Sequence, residues 1–482
     1  SAAFLPVFAK QIEADKPGEM TSAWQLASAV FALLSVFLAA LVVIGELILW
    51  GLSWSYAGHA ETQLMLGLTA VMLPYAVLIC LAAQVTAVLH ALGHFTWPAL
   101  VPVVLNICWI ATIWLVDPLF EPDRVAQIYA LAGCIVGAGV LQLVLQWPTL
   151  RRFGYRFDRR WQAVRPAVVE IVRAMLPVTL GLSITQINTV LDRCIAWTLT
   201  APAGADVGAT IWGSVTYPLQ SGAVSALYFG ERVYQFPLGV FGVALGTVLF
   251  PLLSRHAARG EFTRVRDDLS LGMRLVIAIG LPASAGLALV AESLMRLLFQ
   301  HGDFTAGDTA RVVPILVAYG SGVWAYCAIP VLYRGFYAVG ERRIPVQVGI
   351  TAVAIDLSLN LSLIWPLAER GLALSTALSA MIQVVLLSWL IQQRIGRLDW
   401  RRLAVTTGKA AMATVAMAVA YQGVWRFSPP PTGKTAEGLW MSAAILVATV
   451  VYFLVARLVG IEELQLLLRR AKPAAPDRAA PE

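Results

Sequence analysis

A charged pair stands near the start of the stretch Gly230–Ser254, which is otherwise apolar enough to lie in a bilayer. The pair is Glu231 and Arg232, and Pro237 follows it. Charges inside a membrane are costly, so they indicate a functional site. An arginine in such a stretch presents a fixed cation to a polar cavity inside a membrane protein, which makes Arg232 the best candidate to bind a substrate. The alternative is an ion pair that only locks two helices together.

Three further residues extend this candidate substrate site. Gln235 lies three residues after Arg232 on a similar helix face, where its amide is suited to hydrogen-bond a polar group of the substrate. Glu231 is adjacent to Arg232 and faces elsewhere, so it either contacts the substrate or neutralises another arginine. Arg334 lies near one end of a later apolar stretch, and it either contacts the substrate or reaches lipid phosphates.

Acidic and amide side chains one helical turn apart form a second candidate site. Asn188 precedes Asp192 by four residues, and Asp356 precedes Asn360 by the same spacing. Intramembrane carboxylates with neighbouring amide and hydroxyl oxygens suit a proton or a hard monovalent cation such as Na⁺. Ser379, on the next apolar stretch, would add a hydroxyl. The alternative is hydrogen bonding between helices, which asparagine and serine provide in membranes.

Other polar residues predict no catalytic or metal centre. His90 and His94 are four residues apart, but no third ligand is near them in the sequence. The sequence contains no phosphate-binding loop of the ATPase type, so an enzyme is not expected, and no cofactor is predicted beyond a coupling ion, Na⁺ or H⁺. Asp308, in an outer loop, is predicted to cap the following helix.

The elements that position these residues are membrane-spanning helices. The 482 residues are 59% hydrophobic and only 13% charged, whereas soluble domains have about 25% charged residues. Apolar runs of about 18 residues or more predict transmembrane helices. Twelve such runs predict an all-α polytopic membrane protein, at 21–50, 63–92, 98–117, 125–147, 170–199, 222–254, 269–299, 311–339, 344–365, 371–392, 403–425 and 438–459.

Lysine and arginine concentrate in one set of alternate loops, which the positive-inside rule assigns to the cytoplasm. The C-terminus is then cytoplasmic and the loop at 200–221 faces outside. A multi-pass membrane protein with cytoplasmic basic loops is expected. The net charge of +7 therefore reports topology, and no nucleic-acid partner is predicted.

An internal repeat is visible in three pairs of similar segments. FLPVFAK and LFPLLSR begin 245 residues apart, at Phe4 and Leu249, and a second pair ends 247 residues apart, at Pro98 and Pro345. The third pair joins 141–154 to 382–396. Both copies end on the same side of the membrane, so the repeat is parallel.

The repeat predicts two six-helix lobes and an unrepeated pair of helices. The predicted domains are an incomplete N-terminal lobe at 1–165, a C-terminal lobe at 166–398, an extra helix pair at 399–460 and a tail at 461–482. The first copy lacks about one and a half helices relative to the second. The sequence is therefore expected to be truncated at its N-terminus.

The chain resembles the MurJ/MviN-type lipid II flippases of the MOP exporter superfamily. The resemblance is carried, in the family's order, by SAAFLPVFAK, ALYFGERVYQFPLGVFGVALGTVLFPLLSRHA, LFQHGDFTAGDT, VLYRGFYAVGERRIPV and GLALSTALSAMIQ. It implies that the protein moves lipid II, the undecaprenyl-diphosphate-linked disaccharide pentapeptide, from the cytoplasmic to the periplasmic leaflet by alternating access between the two lobes. It also implies that Arg232 lines the central cavity and that the second-lobe polar residues bind a coupling ion. The unrepeated helices would hold the polyprenyl tail.

The sequence departs from the family's pattern in two places. The arginine-bearing motif of the first span is absent, and the central motif, usually Asp-Arg with Glu three residues later, here has Glu231, Arg232 and Gln235. The expected partners are lipid II, membrane lipids and cell-wall synthesis proteins, with the protein itself a monomer. The alternatives are another superfamily transporter, either a polysaccharide-precursor flippase or a cation-coupled exporter, and an inactive scaffold of the cell-wall machinery.

Overall fold

The computed structural model describes residues 4–15, 20–120, 122–158, 160–202, 204, 209–211, 213, 215–429, 431, 433–461 and 463. Eleven helical segments of this part of the chain are long and apolar enough to cross a membrane. The protein is therefore an all-α polytopic membrane protein, as predicted. The one predicted span outside these eleven segments, 170–199, coincides with a helix of 34 residues, Arg165–Thr198. Most of the predicted tail at 461–482 lies outside the described residues.

The chain divides into two compact units, Ser1–Leu180 and Gly181–Glu482. The boundary falls within a continuous helix, fifteen residues after the predicted lobe boundary at 165. The helices that begin in the first unit are α1 (Phe4–Ala14), α2 (Thr21–Ser55), α3 (Ala60–Met72), α4 (Tyr75–Ala91), α5 (Thr96–Ala111), α6 (Arg124–Arg152) and α7 (Arg165–Thr198).

The second unit adds a small antiparallel hairpin and nine helices among its described residues. In the hairpin, β1 (Thr210–Ile211) pairs with β2 (Val215–Thr216). A π-helical turn at Leu238–Val243 separates the first two helices. The helices are α8 (Ala223–Pro237), α9 (Ala244–Ala258), α10 (Phe262–Phe299), α11 (Ala306–Ser321), α12 (Val323–Ala338), α13 (Arg343–Leu367), α14 (Glu369–Ile395), α15 (Trp400–Phe427) and α16 (Lys434–Leu458).

The order of helices repeats from one unit to the other at the spacing that the sequence predicts. The bent pair α3–α4 begins at Ala60 and the bent pair α11–α12 begins at Ala306, 246 residues later. The next helices, α5 and α13, begin 247 residues apart, at Thr96 and Arg343. The helices α15 and α16 follow the second copy and pack on α10.

The start of α11 is stabilised by hydrogen bonds between Thr305 and Asp308. The amide of Thr305 donates to the Asp308 carboxylate at 2.8 Å, and the amide of Asp308 donates to the Thr305 hydroxyl at 3.3 Å. This is a reciprocal capping box, which satisfies two helix-terminal N–H groups. The predicted capping role of Asp308 is confirmed, with Thr305 as the N-cap residue.

The corner between α13 and α14 contains the one non-glycine residue with positive φ among the described residues. Ala368 has φ of 50° and ψ of −131°. Residues with a Cβ rarely adopt this conformation, and glycine adopts it readily. The corner is also tight, because a Cβ on Gly371 would lie only 2.2 Å from the carbonyl oxygen of Leu363.

We expect Ala368→Gly to raise the free energy of unfolding by about 1 kcal/mol, because the relieved strain exceeds glycine's larger entropy loss on folding. Denaturant unfolding of the purified protein in mild detergent measures this change. The matched control is Ala404→Gly on the exposed side of α15, which should lower stability by about 0.5–1 kcal/mol. Equal losses in the two variants would show that Ala368 is not strained.

Candidate functional site

Arg232 projects from α8 between two side chains that fix its guanidinium. The guanidinium carbon lies 4.7 Å from the centre of the Tyr228 ring, one turn earlier in α8. Its Nη1 donates to Gln235 Oε1 at 3.3 Å. The ring face attracts the cation, and the neutral amide binds it without cancelling its charge. Arg232 has no carboxylate in ion-pair distance within the described part of the chain, so its charge is available to a ligand.

Arg232 lies at the border of an apolar groove with a volume of about 790 Å³. The walls come from four helices of the second unit and from Phe241 of the π-helical turn. Phe236 of α8, Pro282 of α10, Met417 of α15 and Ala448 of α16 represent the four helices. Nearly all the other lining side chains are aliphatic or aromatic. The groove therefore offers a hydrocarbon surface with one cation at its edge.

Ion pairs join α10 to Glu437 of α16 and to Glu463, which follows α16, and Thr406 of α15 donates to Glu463 at 3.1 Å. These contacts hold α15 and α16 in place as groove walls. Arg274 binds the buried carboxylate of Glu463 at 2.8 Å, and Arg296 lies 3.4 Å from that of Glu437. The two arginines are twenty-two residues apart on α10, which is about 33 Å along a helix and close to the hydrocarbon thickness of about 30 Å. Between them the Tyr452 hydroxyl of α16 donates to a backbone carbonyl of α10.

A carboxylate–amide cluster joins α7 to α13. The Asn188 amide donates to Asp192 at 3.2 Å and to Asp356 at 3.0 Å. The Asn360 amide donates to Asp192 at 2.7 Å and to Asp356 at 3.2 Å. The structure therefore brings together four residues that the sequence indicated as two separate pairs.

The chemistry of this cluster suits a small cation. Asn188 Oδ1, Asp356 Oδ1 and Asn360 Oδ1 are buried and have no hydrogen-bond donor in the described structure. Two carboxylates that share the same amide donors also repel one another unless a proton or cation lies between them. Unpartnered buried oxygens beside two negative charges are the ligands that a hard cation prefers.

Two of the predicted side chains, Ser379 and Arg334, lie away from the groove and from the carboxylate–amide cluster. The buried Ser379 hydroxyl donates to the carbonyl of Ala352 at 2.8 Å, which joins α14 to α13. Arg334 packs on α9, where a Cβ added to Gly246 would lie 3.0 Å from its Nε. Neither residue lines the groove or contacts the four residues of the carboxylate–amide cluster in the described structure.

Glu231 faces α7. Its carboxylate pairs with the guanidinium of Arg193, which also donates to the carbonyl of Val224 at 3.1 Å. The second carboxylate oxygen of Glu231 accepts from Gln235 Nε2 at 2.9 Å. Glu231 thus neutralises another arginine, which is the alternative that the sequence left open for it, and Gln235 bridges it to Arg232.

A polar cavity of about 50 Å³ separates the cluster from this ion pair. Asn188 and Asp192 line it together with Arg193, Glu231 and Tyr234. The sequence singled out Arg193 beside Asp192, but it did not predict the contact of Arg193 with Glu231, because that contact joins residues 38 positions apart. Sequence reasoning also missed Tyr228, although an aromatic residue four positions before Arg232 on the same helix was a usable signal.

Comparisons with known proteins agree with one another. A family model described as the lipid II flippase MurJ matches residues 1–434. A probable lipid II flippase MurJ from Rhizobium tropici is 31% identical, over 98% of this chain and 87% of its own length. A solved structure of the lipid II flippase MurJ in an inward closed conformation has a TM-score of 0.70 at 19% identity, covering 97% of this chain and 88% of its own. An inward-facing MATE multidrug transporter of the MOP superfamily has a TM-score of 0.66 at 14% identity, covering 82% and 85%. At these identities the two structures show the fold alone.

Proposed function

The chain belongs to the lipid II flippase MurJ family, and we propose that it moves lipid II from the cytoplasmic to the periplasmic leaflet by alternating access. The substrate is an amphiphile with a diphosphate, a sugar–peptide head and a long polyprenyl tail. The protein is a multi-pass membrane transporter. Its proposed location is the bacterial inner membrane with the C-terminus in the cytoplasm, because the basic loops lie on that side by the positive-inside rule.

The observation that supports this function best is the position of Arg232 at the edge of the apolar groove. A diphosphate in a membrane interior needs a cation, and a guanidinium binds it in bidentate fashion. A polyprenyl tail needs an apolar surface, and the groove volume of about 790 Å³ lies within the usual range for ligand pockets, about 300–1,000 Å³. One guanidinium beside one apolar groove matches both ends of this class of lipid.

Transport by cells depleted of their own lipid II flippase tests the proposal. Cells that produce this protein should expose lipid II on the outer leaflet and continue to grow, whereas cells without it should not. Parallel assays of a polysaccharide precursor and of a cationic dye distinguish the two alternative transporters. A properly inserted protein that exposes no lipid II would overturn the proposal.

The carboxylate–amide cluster of Asn188, Asp192, Asp356 and Asn360 is the proposed site of the coupling ion, Na⁺ or H⁺. Its buried unpartnered oxygens and its two carboxylates support this role. Such a site lets an ion gradient drive the cycle, because a bound cation cancels the cost of a buried negative charge.

We expect Asp356→Asn to remove the cation dependence of lipid II transport. The substitution deletes a charge with little change of shape, so an approximately tenfold stimulation by the cation should fall to none. Lipid II transport in proteoliposomes, measured across a range of Na⁺ concentrations and pH values, gives the result. The exposed Asp267→Asn is the matched control and should behave as the wild type. A cation response in Asp356→Asn equal to that of the wild type would exclude this ion site.

A further inference from the structure

Two adjacent residues of α7 belong to the two halves of the candidate site. Asp192 accepts from Asn360 within the carboxylate–amide cluster at 2.7 Å, while Arg193 pairs with Glu231 of α8. Successive residues of a helix point about 100° apart, so one turn of α7 reaches both partners. A change of charge at Asp192 therefore occurs next to the Arg193 guanidinium, which is bound to α8, the helix that carries Arg232.

The contacts continue from Arg193 to the groove without interruption. Glu231 accepts from Gln235 Nε2 at 2.9 Å, and Gln235 Oε1 accepts from Arg232 Nη1 at 3.3 Å. The side chains of Arg193 and Glu231 are only 26% and 19% exposed. Partly buried charges of this kind are screened much less by water and salt than surface charges. The connected set Arg193, Glu231, Gln235 and Arg232 is called the α7–α8 relay below.

The polar cavity allows the relay to respond to the cluster. Its volume of about 50 Å³ exceeds the roughly 10–15 Å³ that one water molecule needs. Asp192, Arg193 and Glu231 all border this cavity. The Arg193 guanidinium therefore has room to turn towards Asp192 or towards Glu231.

We infer that Arg193 is a positioning residue that couples cation binding in the cluster to diphosphate binding by Arg232, an inference that rests on the proposed function. With the cluster empty, the negative charge of Asp192 attracts the Arg193 guanidinium. A bound cation removes that attraction, and Arg193 then binds Glu231 alone. Glu231 and Gln235 in turn hold Arg232 towards the groove. Coupling of this kind is reciprocal, so the diphosphate raises cation affinity by the same factor.

The test measures the affinity of the purified protein in nanodiscs for undecaprenyl diphosphate, in NaCl and in choline chloride at equal ionic strength and pH. The wild type should bind about tenfold more tightly in Na⁺. Arg193→Gln should bring the ratio of the two affinities close to one. Arg193→Lys keeps a cation but loses the guanidinium fork, so it should restore part of the ratio.

A second variant guards against misfolding, because Arg193→Gln leaves the Glu231 charge without its partner. The double variant Arg193→Gln with Glu231→Gln replaces the ion pair by two neutral amides, and its ratio should also be close to one. The exposed Arg264→Gln is the matched control and should keep the wild-type ratio.

The possible results distinguish a failure of the relay from a failure of the proposed flippase function on which it rests. A wild-type ratio near ten that persists in both Arg193 variants would overturn the relay and leave the flippase and its ion coupling standing. A wild-type ratio of one would overturn coupling by Na⁺ and, with it, the relay between Na⁺ binding and diphosphate binding. No binding of undecaprenyl diphosphate by folded wild-type protein would overturn the proposed function, and the relay with it.

Discussion

Arg232→Ala is expected to lower lipid II transport by about 10- to 100-fold, on the scale of one lost charge-assisted hydrogen-bonded contact of roughly 1.5–3 kcal/mol. We expect this large loss because no other cation of the described groove lining takes the place of Arg232. Arg232 is the cation at the border of the groove, and the described lining residues include no other lysine or arginine. Without it, the diphosphate would enter an apolar environment with its charge uncompensated. Exposure of lipid II on the outer leaflet of depleted cells measures the effect.

Two further variants make this result specific to the guanidinium. Arg232→Lys should give an intermediate rate, because lysine keeps the charge and loses the bidentate geometry. Arg266→Ala removes an arginine that pairs with Asp267 on the surface, and it should transport at the wild-type rate. The Arg232 side chain is exposed, so the Arg232→Ala variant should fold normally. Full transport by Arg232→Ala would mean that another group binds the diphosphate.

The departures of the central motif from the family pattern have a physical explanation in the contacts of α8. Glu231 is long enough to reach Arg193 across to α7, so its charge is compensated there. Gln235 then serves as a neutral bridge, with its amide N–H group on Glu231 and its carbonyl oxygen on Arg232. A carboxylate at 235 would accept from Arg232 and partly neutralise it. The local set therefore leaves one net positive charge, and that charge faces the groove.

The sequence predicted the parts of the structure that depend on local patterns. The apolar runs predicted the membrane-spanning helices, and the internal repeat predicted their order along the chain. The spacing of Asn188 to Asp192 and of Asp356 to Asn360 placed each pair on one helix face. That the two pairs meet depends on contacts between residues 168 positions apart, so spacing alone could not show it.

Features that depend on packing between distant helices were not visible in the sequence. The Ser379 hydroxyl was expected to add an oxygen to the cation site, yet it donates to the Ala352 carbonyl. The rotation of α14 about its own axis determines this direction, and the sequence does not show that rotation. The groove was expected only from resemblance. Its walls depend on how α10 meets α15 and α16, and the ion pairs that fix this, such as Arg274 with Glu463, join residues far apart in the chain.

Gly286→Phe should prevent the groove from binding a polyprenyl tail. Gly286 lines the groove on α10, and the one heavy atom near a Cβ added there is Met417 Cε at 3.8 Å. A phenyl ring at this position therefore projects into open groove rather than into packed protein. We expect binding of undecaprenyl diphosphate to weaken by about tenfold or more, since even a few displaced methylene groups contribute about 0.8 kcal/mol each.

A short-chain ligand separates the tail from the head group in this experiment. Geranyl diphosphate carries the same diphosphate with little tail, so Gly286→Phe should bind it as the wild type does. Gly408→Phe is the matched control, because Gly408 lies on the exposed side of α15 with no heavy atom within 4 Å of an added Cβ. Unchanged affinity of Gly286→Phe for the long-chain ligand would remove the groove from the substrate path. Loss of both ligands would instead mean that the ring disturbs Arg232, and the cation and the groove would then form a single inseparable site.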